Sequence, residues 1–214
     1  MRQPLVAVLD YGIGNLRSAQ KALEYVGAGA RLTSDPGFIG DADGVVLPGV
    51  GAFGRCAEAV RESGLFDVAA DAAGAAAEGS GPPFLGICIG MQLLYARSEE
   101  SPGVTGLGVL DGTVRRLPDG VKHPQMQWNT LEATAACPLL EGIAEPAWMY
   151  FVHSFAPEAS AEVVATCDYG GPVTALVQRG RLWATQFHPE KSSTGGLALL
   201  GNFVAACRQP AAVR

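Results

Sequence analysis

The chain has 214 residues, 48% hydrophobic and 17% charged, with 15 Lys and Arg against 21 Asp and Glu, a net charge of −6. This is a globular composition, which excludes intrinsic disorder. No basic stretch can follow a phosphate backbone, and no apolar run reaches the roughly 18 residues of a transmembrane helix, so nucleic-acid binding and membrane spanning are both disfavoured.

The first apolar run meets Asp10 after five residues and does not read as a signal peptide. The five cysteines, Cys56, Cys88, Cys137, Cys167 and Cys207, form no CxxC pair. A reduced, cytoplasmic protein is expected. The length suits one domain over 1–214, with 209–214 as a frayed tail, and is too short to add a (β/α)8 barrel of about 250 residues.

Residues 5–9 (LVAVL) read as a strand buried on both faces of a parallel sheet. Leu16, Ala19, Leu23 and Val26 recur at helical spacing. A strand is predicted near 31–33 and another over 45–47, stopped by Pro48 and Gly49. Helices follow over 52–63 and after Asp67, then a loop at 79–83, a strand over 84–87 and a helix over 91–96. From about Gly108 the pattern changes to short strands: 112–117, 147–151, 162–167, 173–177 and 182–187. A last helix is capped by residues 192–194 and has Leu197, Leu200, Val204 and Cys207 as its apolar stripe. The expected fold class is α/β: a central mixed, mostly parallel sheet flanked by helices, flavodoxin-like, with antiparallel strands in the C-terminal half.

Three segments carry chemistry. Residues 86–90 (GICIG) put Cys88 on a strand-to-helix turn between two glycines. Such an elbow lifts a nucleophile out of the sheet, and the helix start favours a thiolate. The Ile89 amide is positioned for a developing oxyanion. In residues 186–192 (QFHPEKS), His188 follows an apolar strand. Glu190 lies two residues on, so in extended geometry it shares a side with His188 and orients the imidazole. Residues 48–53 (PGVGAF) end another strand, and the amides of Val50 or Gly51 can complete an oxyanion hole. The glycines Gly12 and Gly14 suggest a dinucleotide fingerprint, but position 17 is Arg, so NAD is not expected. No His/Cys cluster has zinc spacing, and neither a cofactor nor a metal is predicted.

Together these segments resemble the class I glutamine amidotransferases, in which a Cys-His-Glu triad hydrolyses glutamine to glutamate and ammonia. Within that class the chain is similar to the glutaminase subunits of imidazole glycerol phosphate synthases. The similarity rests on DYGIGNLRS over 10–18, PGVGAF over 48–53, CIGMQLL over 88–94 and FHPEKS over 187–192. The resemblance implies Cys88 as nucleophile, His188 as general base and acid, and Glu190 as the carboxylate that orients His188. Gly49, Gly51, Gln92, Glu100, His153, Ser154 and Phe155 match glutamine-binding positions; Val50, Gly51 and Ile89 match oxyanion positions. Asn15, Trp128, Asn129 and Lys191 match positions facing a partner. That partner is a (β/α)8 cyclase subunit, forming a heterodimer and receiving ammonia through a channel for histidine biosynthesis. One run departs from the family: where a Pro-His-Met-Gly-Trp-Asn sequence is usual, residues 124–129 read PQMQWN. Other amidotransferase glutaminases, a stand-alone cysteine hydrolase and a silent scaffold remain as alternatives.

Overall fold

The apolar runs of the N-terminal half become parallel strands. In the computed structural model, which describes residues 2–209, the chain runs β1 (Leu5–Leu9), α1 (Leu16–Tyr25), β2 (Gly29–Thr33), α2 (Pro36–Gly40) and β3 (Gly44–Gly49). It continues through α3 (Phe53–Glu62), α4 (Phe66–Ala77), β4 (Phe84–Cys88), α5 (Ile89–Gln92) and β5 (Tyr95–Ser98). The C-terminal half holds β6 (Leu110–Arg116), β7 (Gln125–Thr130), β8 (Glu132–Ala133), β9 (Trp148–His153) and β10 (Phe155–Pro157). Then come β11 (Val163–Asp168), β12 (Pro172–Arg179), β13 (Leu182–Thr185) and α6 (Ser193–Cys207). The expected tail lies, from residue 210 onward, outside the described residues.

An eight-stranded sheet runs in the order β2-β1-β3-β4-β13-β12-β11-β8. Its first five strands are parallel, and its last three pair antiparallel. β3, β4 and β13 are buried along their whole length, as strands covered on both faces must be. α6 closes one face with Leu199, Leu200, Phe203, Val204 and Cys207 buried, while Leu197 of the predicted stripe is half-buried. A three-stranded sheet β10-β6-β5 and a two-stranded sheet β7-β9 stand beside the main one. The α/β class and the mixed, mostly parallel sheet follow the sequence reading. Among the described residues no helix is long and apolar enough to cross a membrane.

Two local expectations are corrected. The helix predicted over 91–96 is interrupted: α5 ends at Gln92 and Tyr95 starts a strand. The chain leaves the helix there because the carbonyls of Leu93 and Leu94 accept from Leu107, Val109 and Leu110 at 2.7–2.9 Å. Ser192 precedes α6 but its hydroxyl makes no cap. It donates instead to the His188 carbonyl at 2.6 Å and accepts from the Tyr150 N–H at 2.9 Å.

Candidate active site

A cavity of about 500 Å³ opens where β1, β3, β4 and β13 end. Its walls include Gly14 and Asn15 after β1, Val50 and Gly51 after β3, Cys88 and Ile89 at β4, and His188 after β13. The order in which strands are added reverses between β1 and β3, and the carboxyl ends of parallel strands at such a point form the crevice that takes ligands. The chain topology therefore gathers residues from four distant segments into one pocket.

Cys88 sits at the elbow with φ 55° and ψ −109°, a conformation that non-glycine residues rarely adopt and that costs about 1–3 kcal/mol. Close backbone crossing holds it there. A Cβ on Gly90 would overlap the Leu47 carbonyl oxygen, so β3 and the first turn of α5 touch main chain to main chain. The helix is only four residues long, so its dipole contributes less to the sulfur than a full helix would.

His188 is buried, and its Nδ1 lies 2.8 Å from Glu190 Oε1. Both side chains are 2% exposed. The expectation of shared side by extended geometry is corrected in detail: residues Pro189–Lys191 form one turn of 3-10 helix, and that turn folds Glu190 back under the imidazole. Burial opposes the charged imidazole, but the proximity of Cys88 and the interaction with Glu190 outweigh it and raise His188 to about 9. Nε2 is left buried without a partner, on the ring edge opposite Glu190. Asn15, assigned by resemblance to a partner-facing motif, lines the cavity and donates from Nδ2 to Glu190 Oε1 at 3.3 Å.

Gln92, Glu100, His153, Ser154, Phe155 and Lys191 also line the cavity. Gln92 Nε2 donates to the Phe155 carbonyl at 2.9 Å, and its buried Oε1 has no partner. Glu100 accepts from the Phe53 N–H at 2.7 Å through Oε2, which ties the pocket's acid to the segment after β3. His153 donates from Nδ1 to the Phe155 carbonyl at 2.9 Å. Burial first, and the nearby His188 charge, push His153 down to about 4 despite that hydrogen bond. It is therefore a neutral ring whose unpartnered Nε2 can only accept. Gly49 is not among the residues that line the cavity; a Cβ there would meet the Gly90 nitrogen at 2.8 Å.

Trp128 and Asn129 lie apart from this cavity. Trp128 is 44% exposed on β7 and borders a second cavity, whereas Asn129 donates to the Asp168 carbonyl at 2.8 Å. One residue in contact with Cys88 escapes the sequence reading as an individual. Gln186 is fully buried and its Nε2 donates to Cys88 Sγ at 3.7 Å. The available signal is a polar residue inside the apolar run 182–187. Among the described residues no three His, Cys, Asp or Glu side chains cluster as metal ligands. The pocket can support covalent acyl transfer: a thiol, an imidazole oriented by a buried carboxylate, and backbone amides close by.

The family model for glutamine amidotransferase class-I matches residues 8–207. A protein of Methanothermobacter thermautotrophicus, named imidazole glycerol phosphate synthase subunit HisH, is 47% identical over 95% of this chain and 100% of its own. One of the same name from Deinococcus radiodurans is 47% identical over 94% and 93%. A solved structure described as a glutamine amidotransferase shares 25% identity at a TM-score of 0.70, covering 95% of this chain and 99% of its own. The fold is also that of a chain in the structure of PurLQS from Thermotoga maritima, with a TM-score of 0.72 at 21% identity over 95% and 99%. With a family model spanning nearly all its length and relatives at almost half identity, the chain belongs to the class I glutamine amidotransferases.

Proposed function

We propose that this chain is the glutaminase subunit of an imidazole glycerol phosphate synthase and releases ammonia from glutamine through a Cys88 thioester. One observation carries the chemistry: Cys88 shares a cavity with His188, whose Nδ1 is held 2.8 Å from a buried Glu190 carboxylate. The choice of synthase is supported by the names of relatives that are 45–47% identical across 92–95% of this chain.

The Cys88 thiol passes its proton to His188 Nε2, and the thiolate attacks the side-chain carboxamide carbon of glutamine. The carbonyl π pair moves onto oxygen, where the amides of Val50, Gly51 and Ile89 stabilise it. The tetrahedral adduct collapses, the C–N bond breaks, and His188 gives its Nε2 proton to the leaving ammonia. His188 then takes a proton from water, the hydroxide attacks the thioester, and glutamate leaves as the Cys88 thiolate is restored. Glu190 keeps the imidazole in the tautomer that leaves Nε2 facing the reaction. Glu100 and Gln92 Oε1 hold the glutamine α-ammonium, and the backbone of 153–155 holds its α-carboxylate. The reaction needs no cofactor or metal.

The ammonia passes through a channel to a (β/α)8 cyclase, which docks against the strand that carries Trp128 and Asn129, with Asn15 and Lys191 at the mouth of the pocket. The two chains form a heterodimer in the cytoplasm and make imidazole glycerol phosphate and aminoimidazole carboxamide ribotide.

The test is glutamate release by the purified chain, alone and with the cyclase and its nucleotide substrate. Strong stimulation in the mixture is expected, together with complete loss in Cys88→Ala. That variant should still support synthesis from added ammonium salt. Glutamine turnover that survives Cys88→Ala, or that ignores the cyclase, would overturn the reading.

A further inference from the structure

The end of β3 and the segment after it are pinned by two side chains that the mechanism above does not use. The Tyr11 hydroxyl donates to the Pro48 carbonyl at 2.6 Å. The Cys56 thiol, on α3, donates to the Val50 carbonyl at 3.2 Å. Both are buried: Tyr11 is 5% exposed and Cys56 not at all. Two further contacts fix the far end of the segment, Glu100 on the Phe53 N–H and Ser101 Oγ on the Gly54 N–H at 3.0 Å.

The Cys56 contact determines where an amide points. The C=O and N–H of a trans peptide face opposite ways. With the Val50 carbonyl turned to Cys56 in the core, the Gly51 N–H of the same peptide faces the other side. Val50 and Gly51 both line the cavity that holds Cys88. Among the described residues no group accepts the Gly51 N–H. Gly51 has φ +93° and open space around its Cα, so its own backbone does little to hold the peptide in place.

We propose that Cys56, assisted by Tyr11, is a positioning residue of the glutaminase site: its thiol locks the Val50–Gly51 peptide with the Gly51 N–H directed at the Cys88 pocket. The inference rests on the glutaminase reading above and adds two residues to it. Burial raises both the Cys56 thiol and the Tyr11 phenol, so each keeps its proton and remains a donor at neutral pH. A lock on a neighbouring peptide acts on the oxyanion and leaves the nucleophile alone. Its removal therefore lowers kcat and spares both glutamine KM and Cys88 reactivity.

The experiment measures glutamine hydrolysis by the chain with its cyclase, and in parallel the rate of Cys88 alkylation by iodoacetamide, read on the Cys88 peptide by mass spectrometry. Cys56→Ala is expected to lower kcat about tenfold, the effect of about 1.4 kcal/mol of transition-state stabilisation, with KM and alkylation within twofold of wild type. Cys56→Ser, which restores a donor at similar size, should recover most of the rate. Tyr11→Phe should lower kcat severalfold and serves as the second variant should Cys56→Ala fold poorly. Wild-type kcat in both Cys56→Ala and Tyr11→Phe overturns the proposal, as does a Cys56→Ser variant as slow as Cys56→Ala. An equal fall in alkylation rate overturns it too, because the nucleophile itself would then be disturbed. A wild-type complex without glutamine turnover overturns the glutaminase reading and this proposal together, whereas an active wild type with unaffected variants overturns the lock alone.

Discussion

The side-chain amide of Gln186 donates to Cys88 Sγ at 3.7 Å, and its orientation is set two contacts away. The Phe155 carbonyl can only accept, so it takes the Nε2 of Gln92 at 2.9 Å. The same nitrogen donates to Gln186 Oε1 at 3.1 Å, which turns Gln186 Nε2 toward the sulfur. The N–H contact holds the Cys88 side chain in one orientation at the pocket wall. A side-chain hydrogen bond of this kind contributes about 0.5–1.5 kcal/mol. Gln186→Ala should therefore slow Cys88 alkylation at neutral pH roughly three- to tenfold, and Gln186→Glu should slow it more. Alkylation at the wild-type rate in both variants would refute the role.

The two buried histidines bias stability in opposite directions. His188 is raised to about 9 from 6.5: burial opposes the shift, and the interactions with Cys88 and Glu190 outweigh it. Its contribution is full below about pH 6.5 and is lost as pH rises through about 9. His153 is lowered to about 4, chiefly by burial. Its contribution is full above about pH 6.5 and is lost as pH falls toward about 4. Stability to urea should peak near pH 6.5 and decline on both sides, by on the order of 1–3 kcal/mol per histidine. His153→Gln should flatten the acid side between about pH 6.5 and 5, above the range of ordinary carboxylates. An acid limb unchanged in that variant would show that His153 is not its cause.

What is legible in the sequence follows from the physics of each segment. β1, β3 and β4 are covered on both faces, so they read as unbroken apolar runs. Cys88 stands out because glycines flank it at a strand end, where close packing demands them. β7 is missed by the sequence reading: the only apolar residues of QMQWNT, Met126 and Trp128, face outward and are exposed, and its partner β9 is reached only after the connection 131–147. β5 reads as helix because MQLLYA suits either structure, and the carbonyl contacts of Leu93 and Leu94 that end the helix are made by residues 107–110. The pair His188 and Glu190 is visible, but the 3-10 turn that joins them depends on Ser192 bridging His188 and Tyr150.

Two glycines at the site should fail differently when replaced. A Cβ on Gly90 would overlap the Leu47 carbonyl oxygen and lie 2.8 Å from the Leu47 carbonyl carbon, and neither backbone can yield cheaply. Gly90→Ala should cost about 3 kcal/mol or more, as overpacking against main chain does. Gly51 meets nothing within 4 Å, so Gly51→Ala is charged only for φ +93°, roughly 1–2 kcal/mol. Gly51→Ala should keep most of its stability while losing glutamine turnover, because the strain shifts the peptide facing Cys88. Urea midpoints and kcat together check this. A Gly51→Ala variant less stable than Gly90→Ala would contradict the ranking.

The β7-β9 ribbon gives the proposed cyclase a specific place to dock. Register pairs Met126 with Val152, Trp128 with Tyr150 and Thr130 with Trp148, so these six side chains share one face. On that face Met126 is 61% exposed, Trp148 51% and Trp128 44%. The opposite face carries Met149, Phe151 and His153, all buried, so the ribbon is anchored on one side and apolar on the other. The Trp128 ring meets Tyr150 edge-on with centroids 6.0 Å apart, which holds it in a defined orientation before any partner arrives. Exposed, pre-oriented Trp is the residue type that most often dominates binding energy. Trp128→Ala should cost on the order of 1–3 kcal/mol of urea stability, since more than half of this residue is already buried in the free chain. It should weaken association with the cyclase about thirtyfold, the effect of about 2 kcal/mol at a dominant contact. Isothermal titration of the variant with the cyclase reads this directly, and an unchanged dissociation constant would move the docking face elsewhere.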